Sequence, residues 1–244
     1  MKTSLSGVEL LDVWERGRLL PNVERALYLL RAAYPDQSFA DLASLSMGWR
    51  DTLLLELRQA LCGSDVACES VCPACAERLE FSFLLSDVTV PKASNDNASF
   101  PICTPEFEGR FRLPTSADLI PLVDHTPEAA RAELVSKCLV SVQSELPEIS
   151  AEALSAKIID RVSKEMNEAD PQADVLISLT CPACSHTWQG IFDIASFLWR
   201  EIDTWARRTM QEVHWLASAY GWTERAILSM SPVRRRTYIQ MLGE

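Results

Sequence analysis

The chain has 244 residues, 48% apolar and 23% charged, enough to bury a core as one large domain or two small ones. Its 23 basic side chains stand against 34 acidic ones, a net charge of −11, and so acidic a surface argues against nucleic acids and anionic membranes as partners. The eight glycines fall in no phosphate-loop or serine-elbow pattern, the three histidines (His125, His186, His214) form no H-E-x-x-H pair, and no apolar run approaches the about 18 residues that span a bilayer.

The first residues, MKTSLSGVELLDVWERG, carry acidic side chains within a short apolar stretch and no cleavage pattern, so they do not read as a signal peptide. A cytoplasmic chain with reduced thiols is the expectation. Residues 1–63 read as helical. Val8 to Arg16 makes a short helix, and Pro21 opens a second that runs to about Ala33. Ser38 with Asp41 has the spacing of a capping box. Ser46 caps Met47 to Leu61, where Trp49, Leu53, Leu54, Leu57 and Leu61 share a face, and Gly63 stops that helix.

Residues 64–90 hold the tetrapeptide Cys72-Pro73-Ala74-Cys75 and a strand over Arg78 to Phe83. Residues 91–171 read as a mixed insertion. It opens with a polar loop at Lys92 to Asn97, a strand within Glu106 to Leu113, and a short helix from Thr115-Ser116-Ala117-Asp118. Two longer helices follow, from Thr126-Pro127 to about Val142 and from Ser150 to about Glu168. Residues 172–192 repeat the first motif. A strand over Val175 to Leu179 leads into Cys181-Pro182-Ala183-Cys184, and a strand-like run follows it to Phe192. Residues 193–244 carry the strongest helical pattern, capped by Asp193. Ile194, Phe197, Leu198, Ile202, Trp205, Val213, Leu216 and Tyr220 recur by threes and fours up to Gly221. Thr223 caps a short helix to Met230, and Ser231-Pro232 starts a last one ending at Gly243.

The identical tetrapeptides carry the chemistry. Two residues between cysteines let one turn aim both sulfurs at a single point, and two such turns supply the four soft ligands of a tetrahedral Zn²⁺ site. Cys72, Cys75, Cys181 and Cys184 are therefore the expected ligands of one structural zinc ion, with Cys68 and His186 as possible substitutes. Cys62, Cys103 and Cys138 are expected to be buried as small hydrophobes. The 105 residues between Cys75 and Cys181 cost about 4 kcal/mol to close, and structural zinc supplies on the order of 10–16 kcal/mol in small peptides. Ala76 and Ser185 stand where zinc knuckles often have the glycine of a left-handed turn, a departure from the pattern. Four sulfurs leave no open position for water, so a catalytic zinc is not expected. A thioredoxin-like redox pair should open a helix, whereas both motifs here lead into strands.

The fold class that results is α+β, mainly α. Helical N- and C-terminal segments pack around a small four-cysteine, zinc-ribbon-like β element, completed by residues 64–90 and 172–192, with the mixed insertion between them. In the C-terminal segment Trp199, Trp205, Trp215 and Trp222 crowd together, and tryptophan is enriched at interfaces. With His214, Tyr220 and Arg235 they form a candidate partner-binding surface, against the alternative of a core helix. Arg234-Arg235-Arg236 fan over about 200° of a helix and make no narrow phosphate patch.

Several stretches together resemble one family. They are Asp170-Pro171-Gln172-Ala173-Asp174 with the second CPAC, Phe192-Asp193-Ile194, and Phe197-Leu198-Trp199-Arg200-Glu201-Ile202. The ending from Glu212 to Trp222, with Ile227 to Met230, Arg234 to Arg236 and Tyr238, belongs with them, as do Leu53 to Arg58 and Arg112 to Ser116. The chain resembles the baseplate hub assembly chaperones of T-even-type contractile phage tails, which also occur in extracellular contractile injection systems. That resemblance implies a non-enzymatic helper or minor component, with hub, spike or other baseplate proteins as partners. It would act in the cytoplasm during assembly or remain in the finished particle. The alternative function is an enzyme, a dithiol oxidoreductase or zinc hydrolase built on the CPAC motifs.

Overall fold

The computed structural model describes residues 5–90, 99–104, 107–143 and 156–243. In chain order its helices are α1 (Gly7–Gly17), α2 (Asn22–Ala33), α3 (Phe39–Ala43), α4 (Met47–Cys62), α5 (Leu85–Val88), α6 (Ser116–Leu119), α7 (Pro127–Cys138), α8 (Ala156–Ala169), α9 (Ile194–Tyr220), α10 (Glu224–Leu228) and α11 (Pro232–Gln240). Its strands are β1 (Asp65–Val71), β2 (Arg78–Leu84), β3 (Phe100–Thr104), β4 (Phe107–Phe111), β5 (Leu139–Gln143), β6 (Leu176–Thr180) and β7 (Thr187–Ile191). All strand pairs are antiparallel, in the small sheets β1-β2, β3-β4-β5 and β6-β7. The fold is α+β and mainly α. It divides into two compact units, Met1–Pro35 with Ala195–Glu244, and Asp36–Ile194.

In the first unit the Ser6 hydroxyl accepts from the Glu9 N–H while the Glu9 carboxylate accepts from the Ser6 N–H, which fixes the start of α1. The Trp14 indole N–H donates to Asp203 of α9 at 2.8 Å. Gly17 lies against the ring of Trp199, so close that a Cβ there would overlap it. The Arg25 guanidinium stacks over that same ring and donates to the carbonyls of Gly17 and Arg18. Thr223 and Ser231 cap α10 and α11, as the sequence predicts. Val213, Leu216 and Ile227 form the core there, with Trp222, Tyr238 and Ile239 packed on it.

The second unit is built on α4. Ser38 and Asp41 make the predicted capping box of α3, and Ser46 accepts from the Trp49 N–H at the start of α4. Gly63, at φ 86°, ends it. The insertion has its own core of Ile102, Phe111, Val135, Cys138, Val162 and Met166, in which α7 and α8 cover the three-stranded sheet. Arg112 grips the Asp118 carboxylate through two nitrogens, at 2.6 and 2.7 Å.

Several local expectations need correction or fall outside the described residues. The helix predicted to reach Val142 ends at Cys138, because Leu139–Gln143 is taken by the edge of β4 and becomes β5. Strands β1 and β3 were not evident in the sequence. Residues 64–90 and 172–192 each form a hairpin, and the four cysteines cluster where the two meet, as expected of a zinc-ribbon-like element. Cys138 is buried, Cys62 is exposed, and the side chain of Cys103 lies outside the described residues, as do the polar loop at 92–97 and the predicted helix start at Ser150.

Candidate metal centre

The two CPAC motifs form turns of the same construction. In the first, the Cys72 N–H donates to the Glu77 carbonyl and the Ala76 N–H to the Cys72 carbonyl, both at 2.9 Å. In the second, the Cys181 N–H donates to the His186 carbonyl and the Ser185 N–H to the Cys181 carbonyl, again at 2.9 Å. Ala76 and Ser185 have φ of 60° and 59°, the non-glycine residues of the left-handed region among those described. The backbone thus takes the conformation that knuckles usually assign to glycine, at a steric cost.

These turns bring four sulfurs together. The Cys72 and Cys184 Sγ atoms are 3.7 Å apart, those of Cys75 and Cys181 3.6 Å, and all four lie within 4.8 Å of one another. Sulfurs placed about 2.3 Å from a central Zn²⁺ form a tetrahedron with edges of about 3.8 Å. The set can hold a metal ion. The first cysteine of each motif is buried and the second exposed. Leu79 and Trp188 pack on the buried pair and close the site from within.

Without a metal, Cys72, Cys75 and Cys184 are pulled in different directions. Burial raises the Cys72 pKa, but the backbone N–H groups of Cys75 and Ala74 and the neighbouring thiols outweigh it and hold it down to about 7. At Cys75 the Glu77 backbone favours the thiolate, yet the sulfurs of Cys184, Cys181 and Cys72 together with burial push it up to about 12. Cys184 is raised as well, against the pull of the His186 backbone. A cation at the centre removes this conflict, because every thiolate then faces positive charge.

Neither suggested substitute joins the cluster. Cys68 sits mid-strand opposite Phe81, and His186 stacks on Trp188 with ring centroids 6.0 Å apart. Cys138 is held up at about 12, chiefly by burial, and is a poor nucleophile.

The bases of the two hairpins are fixed by side chains that spacing arguments do not single out. Arg58, near the end of α4, donates to the carbonyls of Gly63 and Asp65 at 2.7 Å each and so sets the start of β1. The buried Asp170 carboxylate accepts from the Gly48 N–H in the first turn of α4, at 2.8 Å, and a Cβ on Gly48 would overlap it. Gln172 then holds the segment that leaves α5, donating to the Val88 carbonyl and accepting from the Val90 N–H. Phe83 of β2 meets Phe192, just beyond β7, edge to face at 5.3 Å. The signal for this anchoring was the Asp-Pro-Gln run ahead of the second motif.

The candidate partner-surface residues divide by burial. Trp199 and Arg235 are interior. Arg235 donates to Glu212 at 2.9 Å and to the Met230 carbonyl. Trp205 is half-buried beside Gly7, and Trp222 is half-buried in a cluster with Tyr220 and Tyr238 at centroid distances of 4.5 and 4.9 Å. His214, Trp215 and Tyr220 are exposed. No helix among the described residues is long and apolar enough to cross a membrane.

The family model described as T4 bacteriophage base plate protein matches residues 28–199, a span that includes both CPAC motifs. No curated protein and no solved structure matches significantly.

Proposed function

The chain belongs to the T4 bacteriophage base plate protein family, and from that membership we propose that it is a non-enzymatic, zinc-stabilised assembly factor or minor component. Its object is the baseplate or hub of a contractile phage tail or phage-tail-like injection system. Its partners are hub, spike or other baseplate proteins, and it acts in the cytoplasm while the particle is built. The observation that carries this reading is the family match across both cysteine motifs, joined to a four-sulfur cluster of closed, structural type. Cys72, Cys75, Cys181 and Cys184 are the zinc ligands, and the exposed part of the C-terminal helices is the contact surface. Both motifs run into strands, β2 and β7, which does not favour a helix-borne redox dithiol.

The test is assembly in a particle-producing cell that lacks the chain. Tails should then fail at the baseplate, and the wild-type chain supplied in trans should restore them. Intact baseplates formed in its absence would overturn the proposal. Probing finished particles for the chain separates a resident component from a factor that leaves.

A further inference from the structure

The C-terminal helices leave a groove of about 480 Å³ between α9 and α11, lined by Trp215, Ser218, Ala219, Ile239, Leu242 and Gly243. Its volume lies in the range of pockets that seat apolar ligand groups. Trp215 is 43% and Leu242 41% exposed, and Met241 next to the groove is 56% exposed. Trp215 is thus held open to solvent on a helix that is itself packed through Val213, Leu216 and Ile227, and Met241 and Leu242 follow directly on the end of α11.

Charge around the groove differs from that of the whole chain. Between Arg207 and Gly243 there are six arginines and two glutamates, whereas the full chain carries 23 basic against 34 acidic side chains. One of those glutamates, Glu212, is buried on Arg235, with its other oxygen 3.9 Å from the exposed Arg208, while Arg207 pairs with Asp203. Arg236 precedes Ile239 by three positions and Arg208 precedes Trp215 by seven, so each shares a helix face with a groove residue. Both are exposed. Arg234 is drawn over the Tyr238 ring at 5.8 Å, and Arg235 points inward, so the three arginines do not converge on a phosphate.

We propose that this groove docks an acidic amphipathic helix of another baseplate protein. Apolar anchors of that helix at i and i+3 or i+4 would seat against Trp215, Ile239 and Leu242, with its carboxylates toward Arg208 and Arg236. The identity of the partner as a baseplate protein rests on the function proposed above. The chemistry of the groove does not.

The full-length chain is tested against a peptide array tiling the baseplate proteins of the same particle, and bound peptides are titrated by fluorescence anisotropy. The peptides that bind should be acidic and amphipathic, and should weaken as salt rises. Leu242→Asp and Trp215→Ser should each weaken them by about tenfold or more with an unchanged thermal midpoint, and Arg236→Glu should weaken them and flatten the salt dependence. The proposal is overturned if bound peptides are basic, if the groove variants bind as the wild type does, or if no peptide binds. Tighter binding of duplex DNA than of any peptide would also overturn it. So would a dimer, seen by sedimentation, that Leu242→Asp dissolves. A negative array with a chain that still rescues baseplate assembly rejects the groove and leaves the assembly function standing.

Discussion

Replacing Cys181 by serine removes one of the two buried donors of the four-sulfur site. Three thiolates and a hydroxyl bind zinc far more weakly, so native mass spectrometry should find one zinc in the wild-type chain and none in C181S. The structural effect should stay local. Two-stranded hairpins are marginal by themselves, and β1-β2 and β6-β7 are each of that kind. Asp170 on Gly48, Gln172 between Val88 and Val90, and Phe83 on Phe192 still hold the hairpin bases together without the metal, so its loss frees only the knuckle turns. The amides of Cys72, Ala76, residue 181 and Ser185 should therefore lose protection in hydrogen exchange. Those of α7 and α8, which rest on the insertion's separate core, should keep theirs. Zinc retained at full stoichiometry by C181S, or knuckle amides unmoved by metal removal, would refute the reasoning.

Zinc binding should weaken as pH falls. The metal-free thiols of Cys75, at about 12, and Cys184, also raised, are protonated at neutral pH and must release protons to bind. The release of at least these two protons makes the affinity change by about 100-fold or more per pH unit, readable by competition with a chromophoric chelator at several pH values. A flat profile would contradict a thiolate site. Gly48→Ala forces its new methyl into the buried Asp170 carboxylate and should destabilise the second unit by about 1–3 kcal/mol in urea unfolding, while an unchanged midpoint would mean that the close approach is not maintained. Arg235→Met strands Glu212 without its buried partner and should cost about 3–5 kcal/mol, most of it recovered when Glu212→Leu is added. Ala76→Gly and Ser185→Gly relieve left-handed strain of about 1–2 kcal/mol, partly offset by about 0.4–1 kcal/mol of added unfolded-state freedom, and each should raise the thermal midpoint slightly.

What the sequence made legible was whatever local chemistry decides. Ser38 with Asp41, Ser46, Gly63, Thr223 and Ser231 are caps whose partners lie within a few residues, and all fall where predicted. The CPAC pairs were legible for the same reason, since each turn is local and its repetition is visible. What stayed hidden depends on distant partners. Leu139 to Gln143 continues a helical pattern until β4 offers its edge. Arg235 looks like part of a solvated basic run until Glu212, 23 residues earlier, is seen beside it in the interior. The strand β1 carries Asp65 and Glu69 and gains its identity from pairing with β2.

Those distant contacts also explain how ligands so far apart in sequence can share one site. Asp170 on Gly48, Gln172 between Val88 and Val90, and Phe192 on Phe83 all act at the bases of the hairpins, away from the sulfurs. The insertion between the motifs carries a separate core and needs no metal to hold its own helices on its own sheet. A metal bound at the four sulfurs would then act on a narrow task, fixing two knuckles whose supports are already joined at α4. Its stabilisation would be felt as rigidity of the paired hairpins. The cluster, closed by Leu79 and Trp188 on its buried side, is made of sulfur alone and offers a bound ion four thiolates.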